Sequence, residues 1–267
     1  MKKIAIVGHG FVGKAVDYGF SNPDVQKIII DPKYNNSVAD IPPTVDAIFV
    51  CVPTPMGDFS IIKEVVSELS KRKLTDVSTV VIKSTVPPNV LFEFSKWGVV
   101  YNPEFLREAN ANEDFVNPPM HVFGGPYPKV KKLERLYKTH SLCKPCPIFK
   151  VSIEEASAIK YTINSFLATK VMFFNQIYQM AEDNGLDFNR IVNAVGSDPR
   201  IGQSHTRVPG FDGKLGFGGA CFPKDTLAFT KYSDKLTVLA EVVARNNDLR
   251  RDYDLDDREK EQQVEYK

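Results

Sequence analysis

The amino-acid sequence predicts an α/β protein in two parts: a doubly wound parallel sheet in residues 1–150 and an all-helical central domain in residues 151–267. Three observations lead to this prediction. Short apolar segments alternate with amphipathic ones through the first half, a glycine-rich turn follows the first of them, and a long helical periodicity begins near residue 153. Strands that alternate with helices are typical of parallel sheets covered on both faces.

The strands of the first part are predicted from apolar runs bounded by turn residues. These runs are KKIAIV, KIIIID, AIFVCV and TVVIKS, with shorter candidates at GVVYN and HVFGG. Helices are predicted over residues 10–20 and 62–71, between successive strands. The order of these elements predicts repeated βαβ units.

The second part is dominated by a helical pattern over residues 153–184, which Gly185 is expected to stop. A long loop rich in glycine and proline follows over residues 196–223, and loops of such length are usually functional. A helix is expected again from Thr226. The charged run DLRRDYDLDDREKEQQVEYK at 248–267 predicts a solvated or frayed helix without a chemical role.

The charge balance excludes some classes of function. Lysine and arginine number 34 and aspartate and glutamate 33, so net charge does not favour binding to nucleic acid or to an anionic membrane. No uninterrupted apolar run reaches the ~18 residues of a transmembrane helix. We therefore expect a soluble, cytoplasmic protein with no nucleic-acid or membrane partner.

Four cysteines are too few and too unevenly spaced for a disulfide framework, so reduced thiols are expected. Cys143 and Cys146 form a C-x-x-C pair, but no second pair follows. The four histidines also lack the spacing of metal ligands. No metal site is predicted from these residues, which are Cys51, Cys143, Cys146, Cys221, His9, His121, His140 and His205.

A dinucleotide site is predicted where the first strand meets the first helix. Gly8, Gly10 and Gly13 form the pattern G-x-G-x-x-G, which permits a tight turn, a close approach of the backbone to a pyrophosphate and close packing of helix on strand. Asp31 ends the second strand, where a carboxylate accepts hydrogen bonds from the adenosine ribose and repels a 2'-phosphate. The sequence thus predicts a Rossmann domain that binds NAD rather than NADP, although Lys33 weakens this preference.

The segment GFGGACFPKD, residues 216–225, places Cys221 after a glycine run and close to Lys224. Glycines let a backbone approach a bulky ligand, and a nearby ammonium favours the thiolate that acts as a nucleophile. A buried cysteine in a tight turn is the alternative, since cysteines without a disulfide are commonly buried. The residues of this segment alone leave both interpretations open.

GFGGACFPKD resembles the active-site motif of the UDP-glucose/GDP-mannose dehydrogenase family, whose members use NAD to oxidise a nucleotide sugar twice, from alcohol to carboxylate. Four further segments are similar to family motifs in the expected order. They are KSTVPP (83–88), NPEFLREA (102–109), KYTINSFLATK (160–170) and DPRIG (198–202). The resemblance extends over residues 1 to about 250.

The resemblance implies that Cys221 attacks the aldehyde to form a thiohemiacetal, which hydride loss converts to a thioester. Lys160 would donate a proton to the substrate oxygen or stabilise its charge, with Asn164 one helical turn later. Glu104 would be the base for thioester hydrolysis, helped by Thr85 and Asp225. Glu108 would lie one turn from Glu104 if this segment is helical, and which glutamate is the base stays open.

The resemblance also implies residues that bind the two ligands. Those expected at the cofactor are Gly8, Gly10, Phe11, Val12, Gly13, Asp31, Thr54, Ser84, Thr85, Glu108 and Lys224. Those expected at the nucleotide sugar are Glu104, Phe105, Leu106, Lys160, Asn164, Arg200, Phe217 and Gly218. Arg200 corresponds to an arginine that reaches the substrate, in some cases that of a neighbouring subunit. A homodimer through the helical domain is therefore expected.

The resemblance implies UDP-glucose as the expected substrate, with GDP-mannose or an N-acetylated UDP-sugar as the alternative within the same chemistry. A one-step dehydrogenase of 3-hydroxyacids shares the two-domain plan but has no need of Cys221. Family members usually continue into a third, Rossmann-like domain, and the sequence stops at residue 267. An NAD-binding module without turnover is therefore a further alternative.

Overall fold

The computed structural model describes residues 1–267, except for the side chain of Glu108. The chain divides into two compact units. The first comprises residues 1–54 and 58–160, and the second comprises residues 55–57 and 161–267. The division falls inside the long helix, ten residues after the boundary expected from the sequence.

The first unit is built on one seven-stranded sheet. Its strands are β1 (Lys2–Val7), β2 (Val25–Ile30), β3 (Ala47–Val50), β4 (Thr79–Ile82), β5 (Val100–Tyr101), β6 (His121–Gly124) and β7 (Ile148–Val151). They lie in the order β2-β1-β3-β4-β5-β6-β7. Neighbours are parallel except at β5 and β6, which are antiparallel and share one paired position, Tyr101 with Gly124.

The helices of this unit cover both faces of the sheet. They are α1 (Phe11–Gly19), α2 (Ser60–Lys71), α3 (Leu74–Val77), α4 (Pro88–Ser95), α5 (Ala111–Val116), α6 (Tyr127–His140) and the start of α7 (Ile153–Asp183). Successive residues of β1 alternate between two apolar clusters, with Ala5 and Val7 in one and Ile4 and Ile6 in the other. A sheet with an apolar cluster on each face confirms the predicted doubly wound fold.

The strand order places a topological switch point between β1 and β3. In open α/β sheets, ligands bind beside the carboxyl ends of the strands at such a point. The loops after β1, β3 and β4 all leave from this edge of the sheet. This edge is therefore the ligand-binding edge of the first unit.

The first turns of α7 pack on the sheet, which explains why the division between units falls inside this helix. Ile153 and Ala156 belong to one of the two apolar clusters, with Ile159 packed against it. Ser157 Oγ donates to the carbonyl of Val86 at 2.7 Å. At the other end, Gly185 lies two residues after the last residue of α7 and has a φ of +64°, as expected for a glycine that stops a helix.

The second unit is helical, as predicted. After α7 it contains α8 (Phe188–Gly196), α9 (Phe222–Tyr232), α10 (Thr237–Arg250) and α11 (Asp257–Glu261). α9 begins four residues earlier than expected, directly after Cys221. Pro223 lies in its first turn, where a missing backbone N–H removes no hydrogen bond.

Most residues of the charged end of the sequence are exposed, as expected for a solvated helix, but a few are buried. Arg250 and Glu259 are 2% and 1% exposed, and Val264 is also buried. The charges are buried because they bind one another and the backbone of the cysteine segment, as described below. Among the helices that the structure describes, none combines the length and apolar character needed to cross a bilayer.

Candidate functional site

The glycine turn after β1 has the geometry of a pyrophosphate site. Gly8 has a φ of +87°, and a Cβ there would lie 2.7 Å from the carbonyl oxygen of Cys51. A Cβ at Gly13 would lie 1.9 Å from the carbonyl oxygen of Gly8, whereas one at Gly10 would have no described atom within 4 Å. α1 follows without a cap from any described side chain. Gly8 and Gly13 thus have no room for a side chain, whereas the space beside Gly10 is open. This space lies at a helix N-terminus, which favours phosphate.

Asp31 follows β2 at the same edge of the sheet. Its carboxylate accepts hydrogen bonds from the backbone N–H groups of His9 at 2.7 Å and Lys33 at 3.1 Å. The Lys33 ammonium lies 3.6 Å away. Burial opposes ionisation, but these donors hold the pKa of Asp31 below its ordinary value. A carboxylate has further acceptor positions, so Asp31 fits the ribose of NAD.

The loops after β3 and β4 bring three more predicted cofactor residues together. Thr54 Oγ1 donates to the carbonyl of Thr85 at 3.0 Å, and Ser84 Oγ donates to the carbonyl of Val52 at 2.6 Å. All three predicted side chains are buried. These bonds hold the two loops side by side at the ligand-binding edge.

Glu104 and Lys160 form a buried ion pair in the first unit. Lys160 Nζ donates to Glu104 Oε1 and to the Glu104 carbonyl, each at 2.8 Å. The second carboxylate oxygen accepts from the backbone N–H of Leu106 at 2.7 Å. The ammonium also lies 5.4 Å from the centre of the Phe105 ring. Four of the predicted substrate residues are thus in mutual contact.

The ion pair determines the charge of Glu104. Burial alone would raise the pKa of this carboxyl group, but the Lys160 ammonium, the Leu106 N–H and more distant Lys83 hold the pKa below its ordinary value. Glu104 is therefore a carboxylate at neutral pH. Glu104 thus has the negative charge that a general base requires. The contacts that lower its pKa also lower its affinity for a proton, so they weaken it as a base.

The helical relation between Glu104 and Glu108 is not found. Residues 102–107 are not helical, and Glu108 starts a three-residue 3-10 segment, Glu108–Asn110. The backbone leaves the helical conformation because Glu104 binds its neighbour Leu106 and its own carbonyl accepts from Lys160. The Glu108 side chain lies outside the described residues.

Cys221 occupies the N-cap position of α9 in the second unit and is half-buried. One turn into the helix, Asp225 is 1% exposed and accepts from Asn164 Nδ2 at 2.7 Å and from Lys224 Nζ at 2.6 Å. The Lys224 ammonium, which was expected to act on the thiol, pairs with Asp225. The N-terminal end of α9 favours negative charge on the sulfur.

Burial affects the ionisation of the other three thiols. Burial raises the pKa of Cys51 to about 12. It also raises the pKa values of Cys143 and Cys146 above the ordinary value. A neutral thiol attacks carbonyl carbon far more slowly than a thiolate. A raised pKa lowers the thiolate fraction of these three thiols, and Cys221 is the nucleophile that the resemblance implies.

Three predicted substrate residues lie outside the polar contacts around Lys160 and Asp225. The Arg200 guanidinium is exposed and pairs with Asp198 two residues away, at 2.6 Å. Phe217 is buried in an apolar cluster with Ala168 and Met172. A Cβ at Gly218 would meet the side chains of the protein itself rather than open space.

Sequence reasoning missed several buried polar residues. Lys83, inside the motif KSTVPP, donates to Asn102 Oδ1 at 3.0 Å, and Tyr137 donates to the same oxygen at 2.8 Å. Burial lowers the pKa of Lys83 to about 8. The residues around the cysteine segment were also missed because they carry no motif; they are Asn175, Asn246, Arg250, Glu259 and Tyr266.

In the described part of the chain, no three His, Cys, Asp or Glu side chains are grouped as metal ligands.

The chain is similar to curated and solved nucleotide-sugar dehydrogenases. It is 30% identical to the UDP-glucose 6-dehydrogenase TuaD of Bacillus subtilis, over 94% of this chain and 64% of the relative. It is 32% identical to a UDP-glucose 6-dehydrogenase of Rickettsia typhi, over 82% of this chain and 52% of the relative. The chain therefore spans between half and two thirds of the length of these relatives.

A solved UDP-glucose dehydrogenase from Pyrobaculum islandicum superposes with a TM-score of 0.77 at 28% identity, over 93% of this chain and 68% of that one. Two family models also match. Residues 33–141 match the NAD binding domain of the UDP-glucose/GDP-mannose dehydrogenase family, and residues 154–249 match its central domain. These matches confirm NAD as the cofactor and the resemblance inferred from the motifs. The chain belongs to the UDP-glucose/GDP-mannose dehydrogenase family.

Proposed function

We propose that this chain catalyses the NAD-dependent oxidation of the primary alcohol of a nucleotide sugar to the carboxylate, with UDP-glucose as substrate and UDP-glucuronate as product. The observation that carries the proposal is Cys221 at the start of α9, one turn from the buried network of Asp225, Asn164 and Lys224. A one-step alcohol dehydrogenase has no use for a thiol in that position. The curated relatives named UDP-glucose 6-dehydrogenase support the choice of sugar.

In the proposed reaction, the primary alcohol first loses a proton and a hydride to become an aldehyde. NAD bound in the first unit supplies the hydride acceptor for both oxidations. The Cys221 thiolate then forms a C–S bond to the aldehyde carbon, and the oxygen takes up a proton to give a thiohemiacetal. Loss of that proton and a second hydride leaves a thioester. Water adds to the thioester, the C–S bond breaks, and the carboxylate and the thiolate are released.

Glu104 and Lys160 are proposed to move protons in these steps. The Glu104 carboxylate accepts a proton from the water that attacks the thioester. A protonated Glu104 attracts the Lys160 ammonium less, which lets the ammonium donate to an oxyanion on the substrate. Asn164 and Asp225 hold water and the substrate oxygen near Cys221. The 2.8 Å contact between Lys160 and Glu104 supports the coupling of base and cation.

The test is to count NADH formed per sugar consumed when the purified chain is given UDP-glucose and NAD. Two NADH per sugar, with UDP-glucuronate as the product, are expected. GDP-mannose and N-acetylated UDP-sugars are assayed in parallel to compare kcat/KM. One NADH per sugar contradicts the thioester route and favours a one-step dehydrogenase. NAD binding without NADH formation from any of these sugars contradicts the proposal altogether.

A second proposal concerns assembly, namely that the chain forms a homodimer through α7. Phe166, Phe173 and Met180 follow one another at seven-residue intervals and are 67%, 54% and 41% exposed. Seven residues are close to two helical turns, so these side chains form one apolar stripe. Exposed stripes of this kind mark interaction surfaces. A symmetric pair of copies would bury the stripe of each against the other.

Phe173→Glu is expected to convert the dimer to a monomer, because it places a charge in the centre of the stripe. Light scattering after size-exclusion chromatography measures the mass. Phe211→Glu is the matched control, since Phe211 is 92% exposed but lies outside α7. A wild-type chain that is monomeric at micromolar concentration contradicts the proposal.

The preference for NAD is expected to depend on Asp31 and Lys33 in opposite directions. Asp31→Asn removes a carboxylate that binds the ribose and repels a 2'-phosphate, so the ratio of Kd for NADP to Kd for NAD should fall about tenfold or more. Lys33→Met removes the ammonium 3.6 Å from that carboxylate, and the ratio should rise. Calorimetric titration with both cofactors measures the ratio. Changes of the same sign in both variants would contradict this assignment.

A further inference from the structure

The backbone that leads into Cys221 is held by buried side chains. Within the segment Gly216–Gly219, the N–H of Gly216 donates to Asn175 Oδ1 at 2.9 Å. The N–H of Phe217 donates to Asn246 Oδ1 at 2.6 Å. Both asparagines are buried. Because this segment is neither helix nor strand, these side chains supply the acceptors that secondary structure would otherwise provide.

Glu259 supplies the next acceptor. One of its carboxylate oxygens accepts from the N–H of Gly219 at 3.1 Å and from the hydroxyl of Tyr266 at 2.6 Å. The other accepts from the N–H of Asp256 at 2.9 Å and completes the cap of α11. Arg250 lies 3.9 Å from the carboxylate and compensates part of its charge. A single buried carboxylate thus joins α11 to the cysteine segment.

The approach between these elements is close enough to require glycine. A Cβ at Gly218 would lie 2.5 Å from Glu259 Oε1 and 2.6 Å from Arg250 Nη1. By contrast, a Cβ at Gly219 would have no described atom within 4 Å. Glu259 and Arg250 therefore leave no room for a side chain at position 218, whereas the space beside Gly219 is open.

Gly219 lies two residues before Cys221, and Cys221 is the N-cap residue of α9. A rotation of the backbone at Gly219 or Ala220 moves the thiol relative to that helix. Gly219 has a φ of +79°, a conformation that is readily accessible but not enforced in glycine. The hydrogen bond to Glu259 fixes the position of this flexible residue.

We propose that Glu259 is a positioning residue for Cys221, whose carboxylate fixes Gly219 and thereby the place of the sulfur at the start of α9. This inference rests on the proposed function, in which Cys221 is the nucleophile. Displacement of a reacting atom by ~1 Å lowers rates by up to ~100-fold, although the displaced group is chemically intact. The effect of losing Glu259 should therefore fall on the thiol and on turnover rather than on ligand binding.

The test compares Glu259→Ala with Asp256→Ala in the full chain. Asp256 Oδ1 accepts from the N–H of Glu259 at 2.8 Å, so Asp256→Ala also weakens the α11 cap but leaves the acceptor of Gly219 in place. Glu259→Ala should lower kcat about 10- to 100-fold and leave KM for the sugar and for NAD within about twofold. Asp256→Ala should lower thermal stability without this loss of kcat. Tyr266→Phe keeps the carboxylate and should give a smaller loss, which serves as the readout if Glu259→Ala does not fold.

Alkylation by iodoacetamide, followed by peptide mass spectrometry, measures the Cys221 thiol directly. The rate at Cys221 should change by at least about threefold in Glu259→Ala and stay at the wild-type value in Asp256→Ala. Buried Cys51 reports any opening of the first unit. Equal alkylation rates and equal kcat in the two variants would overturn the proposal.

The alkylation experiment also separates this inference from the proposed function. A wild-type chain that oxidises no nucleotide sugar contradicts the proposed function. In that case, the difference in alkylation between Glu259→Ala and Asp256→Ala still decides whether Glu259 positions the thiol. A difference supports the positioning role, and its absence overturns it.

Discussion

Cys221→Ser is expected to lower the rate of carboxylate formation by at least about a thousand-fold. A serine hydroxyl at the same N-cap position is a far weaker nucleophile toward an aldehyde than a thiolate, and an ester is not the intermediate that the second oxidation requires. The first oxidation does not use the sulfur. NADH formed per sugar should therefore fall from two to at most one, with the aldehyde as the product found by mass spectrometry.

Binding of NAD to Cys221→Ser should be unchanged, because the glycine turn and Asp31 belong to the first unit. Calorimetric titration with NAD checks this. Cys143→Ser is the matched control: its thiol is also half-buried, but burial raises its pKa, and the variant should keep full activity. Carboxylate formation by Cys221→Ser at the wild-type rate would rule out the covalent route.

Glu104→Gln is expected to lower the free energy of unfolding by about 3–5 kcal/mol. Lys160 is 2% exposed, and its ammonium binds both the carboxylate and the carbonyl of Glu104. The neutral amide leaves a buried positive charge without its counter-charge, which costs more than the loss of one hydrogen bond. Denaturant titration followed by circular dichroism measures the difference.

The double variant Glu104→Gln with Lys160→Met is the control, since it removes both charges. It should regain most of the lost stability and none of the activity.

The pH dependence of this stabilisation follows from the lowered pKa of Glu104. The unfolded chain binds a proton near the ordinary value of 4.5, and the folded chain binds it at lower pH. The stabilisation is complete above pH 4.5 and is lost as pH falls through the folded-state pKa. A difference between wild type and Glu104→Gln that does not shrink on acidification would contradict the ion-pair account.

The features that were predicted correctly depend on neighbours in sequence. Strands such as AIFV and TVVI are buried on both faces, so every residue is apolar or small, and the run itself marks the element. At Gly8 and Gly13, backbone atoms just beyond the ends of β1 and β3 leave no room for a side chain. The G-x-G-x-x-G spacing reveals this requirement in the sequence. Gly185 ends α7 through its own positive φ. Local patterns were sufficient for these elements.

The features that were missed depend on distant residues. Glu104 and Lys160 were both predicted as substrate residues, but their ion pair was not, because they are 56 positions apart and only the fold brings them together. The i, i+4 spacing of Glu104 and Glu108 suggested a helix, but the contacts of Glu104 with Leu106 and Lys160 hold the backbone outside that conformation. The burial of Arg250 and Glu259 at the charged end was missed for a similar reason. Glu259 is buried by partners up to 40 positions away, Gly219 among them, and charge density along the sequence does not reveal such partners.

The antiparallel pairing of β5 with β6 affects what holds the two halves of the sheet together. One paired position joins β5 to β6, whereas four pair β6 with β7 and six pair β1 with β2. At this junction, Asn102 Nδ2 donates to the carbonyl of Val122 at 3.0 Å and bridges the two halves through a side chain. Val122 and Phe123 of β6 belong to the same two apolar clusters as residues of β1, β3 and β4. Side-chain packing, rather than a long backbone ladder, therefore holds β6 and β7 to the rest of the sheet.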